Sequence, residues 1–379
     1  MKILHIIPNL VKGGAQRIAI DICRELSQRQ GIEVKLVYFT GSNEFEFLTT
    51  DLDVERIHIS YKLSFRKKSQ IDLSAFEKLL DAFQPDVIHS HLYLAELISR
   101  EFPRSNIVYF THCHDNIVQL RKPNITSFFN RQELTDALER RRLLKRYRAC
   151  NNQFIAIARD GVTYLKDNLP ADFSDSVVLL HNAINVEAFK IDRKESNEVH
   201  RLINVGNFIS KKNQSFLIDV IEEFKSKEHN LKLTLVGDGT TRGPIENKTS
   251  KLGLNDFIDF IGKTDDVKSE LQKNTIYVHS ALYEPFGLVL LEAMAAGLPV
   301  VSLDGKGNRD LIEDGQNGFI VNQGDHERFV HCILQLIEDP SLYERLQTEG
   351  FKTAQQHDIH PYVDRLLSIY SKEKEQHVI

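Results

Sequence analysis

The sequence predicts an α/β fold of two successive domains, and three observations carry that expectation. Short apolar runs alternate with amphipathic stretches of helical period, the pattern of a parallel sheet wrapped by helices. The pattern starts afresh after about residue 180. Each half opens on an apolar run that ends in a glycine-containing turn, Gly13-Gly14 in the first and Gly206 in the second. Two halves of this kind make a doubled Rossmann-like architecture.

Residues 2–7 read as a buried strand, after which Ala15, Ile18, Ala19, Ile22, Cys23 and Leu26 fall on one helix face. Further strands are expected over 33–39, 86–89, 107–110 and 154–158. In the second half strands are expected over 201–205, 232–236, 258–261, 276–279 and 299–302, with a helix over 216–224. Val363, Leu366, Leu367 and Tyr370 give the tail, 361–374, an amphipathic helix. The expected division is a first domain over 1–180, a second over 181–358, and a C-terminal helix over 359–379 that returns to the first domain.

A chain of 379 residues suffices for two domains of about 180. Its 41% hydrophobic and 27% charged residues are ordinary for globular proteins and exclude wholesale disorder. No uncharged apolar stretch reaches the ~18 residues of a membrane span, and the apolar start, 3–7, is too short for a signal-peptide core. Cys23, Cys113, Cys150 and Cys332 lack CxxC spacing, so a cytoplasmic protein with free thiols is expected. The net charge of −5 conceals an asymmetry. Residues 1–180 hold 25 Lys and Arg against 22 Asp and Glu, and the remainder 23 against 31. Neither half approaches the pI above ~9 expected of a nucleic-acid binder, so no nucleic-acid partner is expected.

The most specific segment is Glu284-Pro-Phe-Gly-Leu-Val-Leu-Leu-Glu292, in which seven residues separate two carboxylates. Pro285, Phe286 and Gly287 stand at the mouth of a helix that Gly297 closes. Backbone amides near Phe286, Gly287 and Leu288 then form a ready anion site. Glu284 in the loop and Glu292 about a turn inside are placed to hold hydroxyl groups of a ligand whose phosphate occupies the helix end. A solvated helix glutamate accounts for Glu292 alone, but not for the whole string.

This string resembles the glutamate-x7-glutamate signature of the retaining glycosyltransferases with the GT-B fold, the large family that makes lipopolysaccharide, capsule and glycolipids. The resemblance extends over nearly the whole chain. Residues 8–17 resemble the family's N-terminal Gly-Gly-Ala loop, 182–189 the start of its second domain, and 204–213 its phosphate-binding strand-turn. Gly307-Asn-Arg-Asp-Leu-Ile312, followed by Gly315 and Asn317-Gly318, resembles the segment after the glutamate pair. The resemblance implies two Rossmann-like domains facing each other across a cleft. It implies transfer of a sugar from a nucleotide donor, UDP-linked, to a hydroxyl of a glycan or lipid-linked acceptor, with retention of anomeric configuration and without a metal or other cofactor.

Carried over residue by residue, Glu284 would hold a hydroxyl of the donor sugar and Glu292 the ribose. Lys212 would neutralise the diphosphate, and Gly14 would bring backbone N–H groups of the first domain onto it. Gly262-Lys263 resembles the turn that contacts the nucleobase. One departure is Asn207, which stands where the family usually carries an arginine, so the phosphate site loses a cation. Lys211 and Arg309 are the candidates to replace it. On position alone Lys212 also reads as a solvated lysine, and Gly13-Gly14 as no more than a helix-start turn.

Histidines cluster at two strand ends, His89-Ser-His91 and His112-Cys-His114-Asp115. Together with Cys113 they offer zinc-type ligands at a sheet's carboxyl edge, but their spacing matches no closed structural zinc site and no metal is assigned. The resemblance places one histidine beside the reacting sugar; His112 and His114 both suit that place, with His114 preferred. His89 and His91 read as packing or hydrogen-bonding residues. Asp51-Leu-Asp53 is a DxD outside the motif set, and Gly237, Gly239 and Gly243 have the wrong spacing for a dinucleotide fingerprint.

Two rival functions share the architecture. A nucleotide-sugar 2-epimerase would use the same phosphate site without an acceptor, and a sugar-nucleotide-binding regulator would need no chemistry. Lastly, residues 60–68 interleave Tyr61, Leu63 and Phe65 with Lys62, Arg66, Lys67 and Lys68, and residues 131–148 hold seven basic and three acidic residues. Both read either as solvated surface or as a peripheral contact with the anionic inner face of the cytoplasmic membrane.

Overall fold

A computed structural model describes residues 1–62, 70–123, 131–191, 200–229 and 231–377. Leu63, Phe65, Arg66, Lys67 and Lys68 of the basic segment lie outside the described residues. The chain divides into two compact units, one of Met1–Asn182 with Ile359–Ile379 and one of Ala183–Asp358.

In unit 1 the strands are β1 (Lys2–Ile7), β2 (Glu33–Tyr38), β3 (Val54–Arg56), a small hairpin of β4 (Ser60–Lys62) and β5 (Gln70–Asp72), then β6 (Val87–His91), β7 (Val108–Cys113), β8 (Gln153–Ala156) and β9 (Val177–Leu179). Outside the hairpin they form one parallel sheet in the order β3-β2-β1-β6-β7-β8-β9. In unit 2, β10 (Arg201–Val205), β11 (Lys232–Val236), β12 (Ile258–Gly262), β13 (Ile276–His279), β14 (Val300–Leu303) and β15 (Phe319–Val321) form a second parallel sheet, ordered β12-β11-β10-β13-β14-β15. Both orders reverse beside the first strand of the unit, between β1 and β6 and between β10 and β13. Ligands of such sheets bind outside the carboxyl ends at this switch point.

The central strands are buried on both faces because helices cover both. Leu4, Ile6, Val37 and Ile88 lie in the unit 1 core with Phe76, Leu80 and Phe83 of the helix Ser74–Phe83. Leu202, Leu233, Leu235 and Val278 do the same in unit 2 with Leu217, Ile221 and Phe224 of the helix Gln214–Ser226. The short strands β3, β9 and β15 went unread in the sequence, since three residues carry too little periodicity.

The C-terminal helix Ile359–His377 packs in unit 1 against the helix Gly14–Ser27 and β7. Val363, Leu366 and Tyr370 of this helix are wholly buried. Polar contacts pin it along its length: His360 Nδ1 with Glu25 Oε2 at 2.7 Å, and the ion pairs of Arg29 with Asp364 at 3.0 Å and Lys374 Nζ with Asp86 Oδ1 at 2.8 Å. Beneath β6 and β7, Arg100 is fully buried yet satisfied. Its guanidinium donates to Ser90 Oγ, Ser99 Oγ, Asn152 Oδ1 and the Phe110 carbonyl at 2.7–2.9 Å.

Candidate functional site

At the switch point of unit 2 two side chains converge on one carboxylate. β10 leads through Gly206 into the 3-10 turn Ser210–Lys212, and β13 ends on His279, five residues before Glu284. Lys212 Nζ forms an ion pair with Glu284 Oε2, and His279 Nε2 lies 3.0 Å from the same oxygen. The two loops are also tied through the backbone. The Leu282 N–H donates to the Lys211 carbonyl at 2.8 Å, and Ser280 Oγ donates to the Lys212 carbonyl at 2.9 Å.

Burial by itself would raise the Glu284 carboxyl, but the Lys212 ammonium and the His279 hydrogen bond overcome it and hold the group down at about 2. Burial depresses His279, against the pull of Glu284, so the imidazole is neutral and donates its Nε2–H to the carboxylate. Its Nδ1 is buried without a partner among the described residues. His279 is the residue of this candidate site that sequence reading missed. Its signal was a histidine ending the strand just before Glu284.

The backbone of Glu284 is clamped as well. Its N–H donates to the Gly305 carbonyl at 2.8 Å and its carbonyl accepts from the Gly307 N–H at 3.0 Å. A side chain at Gly307 would meet the Pro285 carbonyl oxygen at 1.9 Å, so only glycine permits this approach. Between the glycines Lys306 is held at φ +74° and ψ −67° in a strained turn. Buried Asn308 locks the turn by accepting from the Gly305 N–H and donating to Ser302 Oγ and the Leu303 carbonyl.

The helix Leu288–Ala295 follows, with Gly287 at φ +104° as its N-cap. Leu288 and Val289 present first-turn amides there, while Leu290 N–H already bonds to the Gly287 carbonyl. Phe286 is buried against the ring of His357, and partly buried Glu292 sits in the second turn. Asn207 is exposed and its carbonyl accepts from Gln214 Nε2. Of the two cations weighed as substitutes for an arginine there, Arg309 grips Asp304 and Lys211 lies over the Tyr283 ring. Gly262 ends β12 at φ +81°, beside exposed Lys263 and with the Arg242 guanidinium 3.3 Å from where a Cβ would stand.

At the switch point of unit 1 the chemistry differs. His5 pairs in register with His89, and His91 with His112. Residues two apart on a strand share a face, so His5, His89, His91, His112 and His114 project together. The five rings stack at centroid separations of 4.1–5.2 Å. One chain of hydrogen bonds runs from His5 Nδ1 to His91 Nε2 at 2.9 Å and from His91 Nδ1 to His114 Nε2 at 2.8 Å. The other links Tyr370 Oη to His89 Nδ1, His89 Nε2 to His112 Nδ1 at 3.1 Å, and His112 Nε2 to Asn182 Oδ1 at 3.1 Å.

Burial depresses all five histidines, with repulsion from neighbouring rings adding to it for His5, His89, His91 and His114; His5 falls to about 3 and His112 to about 4. Leu92, next after His91, is held at φ +69°, a strain that turns the chain sharply at the strand end. Gly14 opens the helix Gly14–Ser27 after β1 and is exposed. Asp51 and Asp53 are exposed, and Asp53 pairs with Lys35 at 2.8 Å.

The chain is similar to known proteins. Residues 12–188 match the model of glycosyltransferase family 4, and residues 186–353 match that of glycosyl transferases group 1. The putative glycosyltransferase EpsD of Bacillus subtilis is 34% identical over 160 residues, 42% of each chain. The lipopolysaccharide core biosynthesis glycosyltransferase LpsE of Rhizobium meliloti is 32% identical over 170 residues, 45% of this chain and 48% of that one. The matches thus span about half the length of these relatives. Among solved structures, HepE of Anabaena in complex with UDP-glucose superposes with a TM-score of 0.78 at 19% identity, covering 98% of this chain and 100% of that one. TarM gives 0.77 at 14% identity, covering 97% and 98%. At such identities the likeness is one of fold.

Proposed function

This chain belongs to the glycosyltransferases of the GT-B fold, and we propose that it moves a sugar from a UDP-linked donor to a hydroxyl of a glycan or lipid-linked acceptor in surface polysaccharide synthesis, retaining anomeric configuration. The observation that carries this reading is the Lys212–Glu284–His279 trio beside the helix mouth at the unit 2 switch point. UDP is favoured because HepE was solved with UDP-glucose. The acceptor class follows from relatives named for lipopolysaccharide core and capsular polysaccharide synthesis.

In this reading Lys212 and Glu284 neutralise each other until the donor arrives. The ammonium then turns to the diphosphate and the carboxylate accepts a sugar hydroxyl, while neutral His279 keeps the carboxylate aimed. As the bond from the anomeric carbon to the phosphate oxygen breaks, its electron pair stays on that oxygen. Lys212 and the amides of Leu288 and Val289 stabilise the growing charge by preorganised electrostatics, so no metal is needed. The acceptor oxygen bonds to the anomeric carbon on the same face, and the departing phosphate oxygen takes its proton. Glu292 is assigned to the ribose and Gly262-Lys263 to the nucleobase. In unit 1, Gly14 is assigned to the diphosphate and His114 to the sugar.

A thermal-shift screen against a panel of nucleotide sugars should single out UDP-sugars, because binding to the native state raises the melting temperature by mass action. Incubation with the donor alone separates transfer from epimerisation. An epimerase interconverts the sugar without an acceptor, and that result would overturn transfer.

The membrane contact is part of the same proposal. Along the helix Arg131–Ala149, exposed Leu134 and Leu138 are followed on one stripe by exposed Arg141 and Lys145. Apolar groups at one end and cations at the other suit an anionic bilayer surface. Each cation adds about 1 kcal/mol there, so attachment is reversible. No helix among the described residues is long and apolar enough to cross a membrane. Sedimentation with anionic vesicles should fall at high salt and in a Leu134→Ser, Leu138→Ser variant; salt-insensitive results would remove the membrane from the reading.

A further inference from the structure

We propose that His91, His112 and His114 form a binding site for a borderline divalent cation of the zinc type. Each offers one ring nitrogen, and the three nitrogens lie within 4.8 Å of one another. Zinc–imidazole bonds of about 2.0–2.1 Å set tetrahedral ligand nitrogens about 3.3 Å apart. His91 Nδ1 and His114 Nε2 stand at 2.8 Å, so a small ring rotation makes the space.

The surrounding partners suit a ligating role. With Nδ1 of His91 on the ion, its Nε2 keeps His5 at 2.9 Å. Whichever nitrogen His112 presents, the other keeps Asn182 or His89, each at 3.1 Å. Outer partners of this kind fix ring direction and tautomer in metal sites. With the proton of the His91–His114 hydrogen bond on His114 Nε2, it moves to His114 Nδ1, while His91 keeps its own proton on Nε2 toward His5, so neutral imidazoles ligate with no net proton release.

Access selects this triad over the inner one. His5, His89 and His91 are wholly buried, whereas His114 is only partly so. A set of imidazoles alone suits zinc and excludes the oxygen-seeking ions such as Mg²⁺ and Ca²⁺. An ion bound here also holds the His114 lone pair and should slow sugar transfer. That consequence rests on the proposed function, whereas binding does not.

The experiment is competition between metal-free protein and a chromophoric chelator for Zn²⁺, with excess Mg²⁺ as a control that leaves the signal unmoved. Wild-type protein is expected to take one equivalent. His114→Gln should weaken binding by more than about 100-fold, since losing an outer partner already costs 10–100-fold. His114 is partly exposed, so this variant is the one expected to keep its fold; a circular dichroism melt checks it, and His112→Gln serves as a second variant. His331→Ala, at an exposed position in unit 2, should leave affinity unchanged. Undiminished affinity in folded His114→Gln, or no competition by the wild type, overturns the site. Zinc that binds but leaves transfer untouched upholds the site and overturns only the role given to His114.

Discussion

The two units place their polar groups at the same topological position and solve the electrostatics in opposite ways. At the β10–β13 switch point a buried carboxylate is ionised, because an ammonium and an imidazole N–H answer it. At the β1–β6 switch point five stacked imidazoles, four of them buried and His114 partly so, have no carboxylate among their hydrogen-bond partners in the described residues, and they stay neutral. The strand order decides where a site lies. The counter-charge decides what that site can do: in the proposed function the first turns its cation to a diphosphate, and in the proposed metal site the second holds an ion by lone pairs alone.

The sharpest way to break the comparison is to remove the countercharge. Lys212→Ala should lower turnover by about 10²–10³, the range for losing one preorganised donor to a developing anion. It also leaves the Glu284 carboxylate buried beside His279 alone, so unit 2 should lose some stability without unfolding. Steady-state kinetics and a thermal melt read the two effects separately. Wild-type turnover in a folded variant would detach Lys212 from the chemistry.

Acid should act on the two regions at different pH. The five stacked histidines of unit 1 are held below their ordinary value of 6.5, so the unfolded chain takes up protons that the folded chain refuses. Stability is therefore lost from about pH 6.5 downward, through the folded values near 3 and 4. Glu284 is held at about 2 against an ordinary 4.5, so its contribution is intact above 4.5 and fades only below that. His279 and half-buried His200 load unit 2 in the first way, but they are two groups against five. Limited pepsin digestion at pH 4 in chelator should cut unit 1 while a fragment near 183–358 survives. Simultaneous cleavage of both units would refute the contrast.

Much of this was legible in the sequence, and the limits have physical causes. Apolar runs such as Ile3–Ile7 and the helical face from Ala15 to Leu26 announced the sheet and its cover because fully buried elements leave no other pattern. The Glu284 string and Lys212 could be named because their spacing is local. What stayed hidden depends on strand register. His5 lies 84 residues from His89, and only the β1–β6 pairing makes them neighbours. His279 was hidden differently, since nothing in a strand-ending histidine says which way its ring turns. That Lys212 and Glu284 grip each other was likewise unreadable, because the two were assigned to different parts of a ligand.

A milder probe of unit 2 is Glu284→Gln. The amide keeps an acceptor but loses the charge-assisted bond to a sugar hydroxyl, so affinity for the nucleotide sugar should fall about tenfold. Lys212 is at the same time released from its ion pair. Affinity for the free nucleoside diphosphate should therefore hold or rise, and titration calorimetry with both ligands gives the ratio. An equal loss for both would mean that Glu284 serves the nucleotide, not the sugar.

The smallest expected effect is none at all, and it tests whether the charged site stands alone. If Lys212 and the helix-mouth amides carry the diphosphate, transfer should run at an unchanged rate in excess chelator, without Mg²⁺ or Mn²⁺. Zinc should reduce that rate, and chelator should restore it, if the histidine stack takes the ion. Loss of activity in chelator with recovery on Mg²⁺ or Mn²⁺ would point away from both regions, since hard ions seek oxygen and the stack offers only nitrogen. Asp51 would then be the residue to change first, because Asp53 is already tied to Lys35. Activity that survives chelator but falls in Asp51→Ala would leave the diphosphate with Lys212 and make the aspartate's part structural.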